Sequence, residues 1–136
     1  MNNTHLPKDP VQWVKDLEHI WQSMDSEKAS KGYTDDAFIV FGCQQIQTGK
    51  EMLNRPRDWF NYAKDLKINK NYIAHNNDCI VASWNSEYTD PKTKKIISER
   101  GIEYFRFRNG EVCEQYAWQH SWEKGNKPES SGIDTS

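Results

Sequence analysis

An Asn109-Gly110 dipeptide between two apolar-rich runs, Ile102 to Arg108 and Glu111 to Trp122, constrains this chain more than any other feature. Asn-Gly takes φ > 0 at both central positions of a two-residue loop, the type I′ geometry that suits the twist of paired strands. A tight turn there sets Arg108 opposite Glu111, Phe107 opposite Val112, Phe105 opposite Glu114 and Glu103 opposite Tyr116. A carboxylate then stands among aromatic rings, either in a pocket or on a salt-bridged rim.

The elements before this hairpin can be read in order. Asp9 followed by Pro10 has the form of an N-cap with proline at the first helical position, and Gln12 is placed to complete a capping box. Trp13, Val14, Leu17, Ile20, Trp21 and Met24 recur at three- and four-residue steps, so they share one helical face. A shorter helix runs from an Asp25 cap to Lys31 and closes at Gly32, and Tyr33 to Phe41 contains a strand. Thr48-Gly49 opens another helical passage, with Met52, Leu53, Phe60, Ala63 and Leu66 at approximate helical spacing and Pro56 either kinking it or opening its main part. Strands are expected at Lys67 to His75, Cys79 to Tyr88, Ile96 to Arg108 and Glu111 to Trp122, with a turn at Thr89-Asp90-Pro91.

Helices followed by a meander of long antiparallel strands give an α+β order rather than βαβ alternation. The expected organisation is an N-terminal arm over 1–8, one domain over 9–122 and a flexible polar tail over 123–136. A sheet this long must curl around the helices, and a curled sheet leaves a hollow at its open end where a ligand would sit.

Composition narrows the function classes. The mean hydropathy of −1.00 would suit a disordered chain, but six Trp, six Tyr and five Phe bury large apolar areas and argue for a packed core. A net charge of −2 with interspersed signs leaves no footprint for nucleic acid, and Lys92, Lys94 and Lys95 read as a solvated loop. No apolar run approaches a membrane span and the start lacks a signal-peptide pattern, so a cytoplasmic location is expected. Cys43, Cys79 and Cys113 are odd in number and far apart, which suggests buried free thiols. His5, His19, His75 and His120 are equally scattered, so no metal site is expected. No phosphate-cradling glycine loop, dinucleotide fingerprint or Ser/His/Asp set is legible, and no cofactor is expected.

Three segments, Tyr33-Thr34-Asp35-Asp36-Ala37, Thr48-Gly49-Lys50-Glu51 and Ile102 to Val112, together resemble the nuclear transport factor 2-like superfamily, particularly its SnoaL-like branch. The resemblance covers about Val11 to Trp122. It implies a cone-shaped α+β roll, a curved antiparallel sheet wrapped around N-terminal helices, frequent dimerisation through the sheet, and a pocket used for isomerisation, cyclisation, dehydration, hydrolysis or simple binding. Fold does not choose among these. In the ketosteroid isomerase relatives an aspartate base works with a tyrosine and a protonated aspartate. By position the base falls at Phe41 and the helix tyrosine at Leu17, neither of which can serve. The carboxylic acid falls at Glu103 and a supporting tyrosine at Tyr33.

Glu103 and His120 are therefore the candidate acid/base residues, with Tyr33, Asp36, Phe41, Trp84, Phe105, Tyr116 and Trp118 as candidate pocket residues. Burial of Glu103 against Phe105, Tyr116 and Trp118 would raise its pKa, whereas a solvent-facing Glu103 would pair with Arg100 or Arg106. His120, opposite Glu99 in the tight register, is either a proton-transfer group or a half-exposed histidine beside the tail. Asp35 and Asp36 suit turn hydrogen bonding before the first strand. Two functions follow as expectations. One is a binding domain or cofactor-free enzyme for an apolar or aromatic ring or carbonyl compound; the other is a non-catalytic dimerisation or protein-binding module. A homodimer through the sheet is expected in either case.

Overall fold

The computed structural model describes residues 5–46 and 50–125, with side chains over 5–43 and 54–125. Helix α1 (Pro10–Gln22) and the short α2 (Ser26–Ala29) precede strands β1 (Tyr33–Phe41) and β2 (Gln44–Ile46). Helix α3 (Lys50–Tyr62) then leads into β3 (Lys64–His75), β4 (Cys79–Thr89), β5 (Ile96–Arg108) and β6 (Glu111–Glu123). The strands form one curved, unclosed sheet in the order β2-β1-β6-β5-β4-β3. Every pairing is antiparallel except β1 with β6, which run parallel.

Local chemistry accounts for most element ends. Asp9 caps α1 by accepting from the Gln12 amide at 3.1 Å, but the Gln12 side chain donates to Asp16 at 2.9 Å instead of closing the box on its own cap. The helix stops at Gln22, short of Met24, which takes φ 56°. Asp25 caps α2 through the Lys28 amide at 3.1 Å, and Gly32 supplies a φ of 84° before β1. Pro56 lies inside α3 and does not open it. Leu66 belongs to β3, not to the preceding helix: α3 ends at Tyr62, and Ala63 and Leu66 are buried with Phe60 and Tyr88. The three-residue β2, pairing with β1, has no counterpart in the sequence reading. The Thr48-Gly49 helix start lies outside the described residues, as does the tail from residue 126 on; Glu123 still pairs with Ile97.

The hairpin turn has φ 52° at Asn109 and 85° at Gly110, the I′ signature. Arg108 faces Glu111 and Phe107 faces Val112 as the tight turn requires. The pairing then slips, because β6 spends one extra residue at Cys113 and Arg106 meets Glu114. From this bulge onward Phe105 faces Gln115, Tyr104 faces Tyr116, Glu103 faces Ala117 and His120 faces Arg100. The register expected without the bulge is thus wrong by one residue over most of the hairpin. A one-residue slip in a strand exchanges its two faces.

Near the turn the hollow of the sheet is filled. Val14 of α1 packs with Ile80, Ala82, Phe105, Phe107 and Val112, and Trp13 meets the edges of Phe105 and Phe107 at 4.8 and 5.0 Å. Helix α1 also closes the free edge of β3. The Glu18 carboxylate accepts from the Lys70 amide at 2.8 Å, and one turn later Gln22 donates to the Ile68 carbonyl at 2.9 Å. These two side chains take the place of a missing neighbouring strand.

Candidate functional site

At the end of the sheet away from the Asn109-Gly110 turn the core opens into a cavity of about 540 Å³. Strand alternation supplies its floor: Glu99 and Glu103 from β5, Gln115, Ala117 and Gln119 from β6, Trp84 and Ser86 from β4, and Ile68 and Lys70 from β3. Helix α3 forms the opposite wall with Arg55, Trp59 and Tyr62, while Trp21 of α1 and Tyr33 and Phe41 of β1 close the sides. Gly101 makes this arrangement possible. It pairs with Trp84 in the ladder, and the Trp84 ring lies in the space that a Cβ at position 101 would need.

Four polar groups of the cavity, Lys70, Glu103, Gln115 and Tyr33, form a continuous chain. Lys70 and Glu103, each at most 5 % exposed along its side chain, meet through Nζ and Oε2 at 2.6 Å. The ammonium is flanked by the Trp21 and Trp84 rings, 5.4 and 5.3 Å from their centroids, so aromatic faces stand where water would otherwise solvate the charge. The other Glu103 oxygen accepts from Gln115 Nε2 at 3.3 Å, and the Gln115 carbonyl accepts from the Tyr33 hydroxyl at 2.5 Å. Both carboxylate oxygens are therefore held in place. Burial, and after it the negative Glu103, push the Tyr33 phenol well above the ordinary tyrosine range. A second carboxyl, Glu99, is 4 % exposed and accepts from Ser86 Oγ at 3.1 Å. Burial raises its pKa, against the opposing pull of hydrogen bonds from Ser86 and Gln119.

Of the expected site residues, Glu103, Tyr33, Phe41 and Trp84 line this cavity. The others stand elsewhere. Phe105, 1 % exposed, belongs to the filled core beside Trp13. Asp36 is exposed and paired with Arg108 at 3.1 Å. Tyr116, Trp118 and His120 pair directly with Tyr104, Ile102 and Arg100, and cross-strand partners share a face. They therefore lie on the outer face of the sheet, across from Glu103. The bulge at Cys113 is the physical reason, since it removed the register that placed them inside. Glu103 pairs with neither Arg100 nor Arg106; Arg106 instead binds Asp78 and Glu114. Cys113 is buried, Cys79 partly so and Cys43 exposed in a turn, which corrects the expectation of three buried thiols.

The sequence reading missed Lys70. Its signal was present, because Leu66, Ile68, Lys70 and Tyr72 alternate on one side of β3, and a lysine in an apolar row of that kind needs a buried partner. Among the described residues no group of three or more His, Cys, Asp or Glu side chains is placed to hold a metal, and no helix is long and apolar enough to cross a membrane.

Solved structures share this architecture at low sequence identity. The epoxide hydrolase/cyclase-like enzyme SalBIII, of pyran ring formation in the polyether salinomycin, superposes with a TM-score of 0.70 at 10% identity, covering 81% of this chain and 89% of its own. A candidate SnoaL-like polyketide cyclase from Jannaschia sp. CCS1 gives 0.69 at 13% identity, covering 81% and 84%. An LEH-like epoxide hydrolase of M. tuberculosis gives 0.63 at 11%, covering 81% of each chain. No curated protein sequence matches this chain significantly. The structural likenesses establish the nuclear transport factor 2-like fold. Residues 7–124 match a single family model, so within that fold the chain belongs to the family described as "Protein of unknown function (DUF1348)".

Proposed function

We propose that this chain is a small-molecule-binding SnoaL-like domain that performs cofactor-free acid/base chemistry on an apolar ring or carbonyl compound. The observation that carries this reading is the cavity of about 540 Å³ with the Lys70–Glu103 pair in its wall. Aromatic walls exclude water and accept a flat ligand. The pair supplies both halves of a proton transfer: an ammonium that can donate to a ligand oxygen and a carboxylate that can accept a proton from carbon or water. Isomerisation, cyclisation, dehydration and hydrolysis all draw on such a pair. No role is carried forward for His120 beside Glu103, because the sheet separates them.

The test is a thermal-shift screen with apolar ketones, aromatic acids and polyketide-like compounds, run on wild type and Glu103→Gln. A ligand at a hundred times its dissociation constant adds about 2.7 kcal/mol to stability. We expect at least one such shift in wild type and a smaller one in Glu103→Gln, each measured from that protein's own ligand-free transition. A normal transition with no shift across the panel would overturn the proposal in favour of a non-catalytic interaction module.

We also propose that the outer face covers itself with a second copy of the chain. Ile102 and Trp118 are 51% and 50% exposed there, beside the Tyr104–Tyr116 stack at 4.8 Å, and an apolar face of this kind favours association. Light scattering should give twice the 16.0 kDa chain mass; a species of 16.0 kDa alone would refute the dimer.

A further inference from the structure

We infer that the cavity's ligand carries an anionic oxygen group, a carboxylate or acidic enol, and that Arg55 receives it; this deepens the ligand-binding proposal and rests on it. Lys70 is answered by Glu103 at 2.6 Å, Arg106 by Asp78 and Glu114 at 2.8 and 3.0 Å, and Arg108 by Asp36 at 3.1 Å. Arg55 lines the cavity and is partly buried, yet among the residues whose side chains the structure describes no carboxylate lies within ion-pair distance of it. Asp58, also at the cavity, is exposed and sits 3.6 Å from Arg57.

The position of the guanidinium favours a ligand partner. Its central carbon lies 4.4 Å from the Phe41 ring centroid. Resting on an aromatic face leaves the N–H edge of the guanidinium available for two parallel hydrogen bonds to a planar oxygen pair. Burial costs the charge part of its hydration, and burial also lowers its pKa. A neutral ligand would bury the group further with no compensation, whereas an anion offsets that cost. The Lys70 charge is already balanced, so it adds no second demand for an anion. The ligand class is therefore a flat, largely apolar molecule with its anionic end at Arg55 and its ring between the tryptophans.

A matched dye pair tests this: 8-anilinonaphthalene-1-sulfonate and N-phenyl-1-naphthylamine share a ring skeleton and differ by the sulfonate. Fluorescence titrations would be run on wild type, Arg55→Gln and Arg55→Lys, with Ile102→Ser as a control for dye held on the outer face. Charge-assisted hydrogen bonds predict that wild type binds the sulfonate at least about tenfold more tightly than the neutral dye. Arg55→Gln should abolish that preference by weakening the sulfonate dye far more than the neutral one, Arg55→Lys should retain part of it, and Ile102→Ser should leave it intact. Equal affinities in wild type, or an undiminished preference in both Arg55 variants, would overturn the inference while neutral-dye binding left the cavity reading standing. Failure of both dyes to bind wild type would remove the inference and count against the ligand-binding proposal as well.

Discussion

Replacing Lys70 by methionine is expected to destabilise the fold by about 3–5 kcal/mol, because it leaves the Glu103 carboxylate buried with no counter-charge. Glu103 is 3% exposed, and with Lys70 gone its described hydrogen-bond donor is Gln115 at 3.3 Å. The pair itself contributes far less than this loss suggests, since bringing two ions out of water offsets most of their attraction. The double variant Lys70→Met/Glu103→Leu should therefore recover most of the lost stability. Urea denaturation of the two single variants and the double variant would show it, with midpoints moving at constant slope. Additive losses would mean that Lys70 and Glu103 contribute through packing alone, and the acid/base reading of the cavity would lose its central pair. Recovery of stability without recovery of ligand binding would show instead that the pair is kept for function.

What the sequence made legible follows from how each signal is encoded. Strands β5 and β6 announce themselves because Asn109-Gly110 fixes a turn and the flanking residues favour a pleated surface. The bulge at Cys113 carries no such mark: no glycine or proline interrupts Val112-Cys113-Glu114, and the extra residue is accommodated by the sheet's curvature. That one residue decided which side of β6 faces inward, and so it moved Tyr116, Trp118 and His120 out of the expected site. Glu103 kept its place because it lies on β5, whose own register against β4 runs unbroken from Ile96 to Arg106. Its partner was missed for another reason, because the apolar alternation around it is outweighed by its polar neighbours. Lys70 lies 33 positions away in sequence, and a lysine in a polar stretch such as Lys67-Ile68-Asn69-Lys70-Asn71 reads first as solvated surface. The parallel contact of β1 with β6 is equally non-local, as is the use of Glu18 and Gln22 to close the β3 edge.

Helix α1, packed into the hairpin end of the sheet, makes Phe105 a core residue. A pocket-lining phenylalanine would be replaceable by alanine at little cost to folding, with the change felt in ligand affinity. The structure instead puts Phe105 in the filled half of the hollow, 1% exposed and edge-on to Trp13 at 4.8 Å. Phe105→Ala should therefore cost about 3–5 kcal/mol, the sum of lost transfer energy and the void left against Val14 and Ile80. Phe41, partly exposed at the cavity wall beneath Arg55, should behave oppositely: Phe41→Ala removes fewer close contacts and disturbs the guanidinium instead. Comparing the two variants separates core from site. Chemical denaturation should rank Phe105→Ala far below Phe41→Ala in stability, and titration of the folded proteins with the anionic dye should reverse the order, with Phe41→Ala the weaker binder. A Phe105→Ala protein of near wild-type stability and altered ligand affinity would instead mean that the cavity reaches the hairpin turn and that α1 does not fill this end of the sheet.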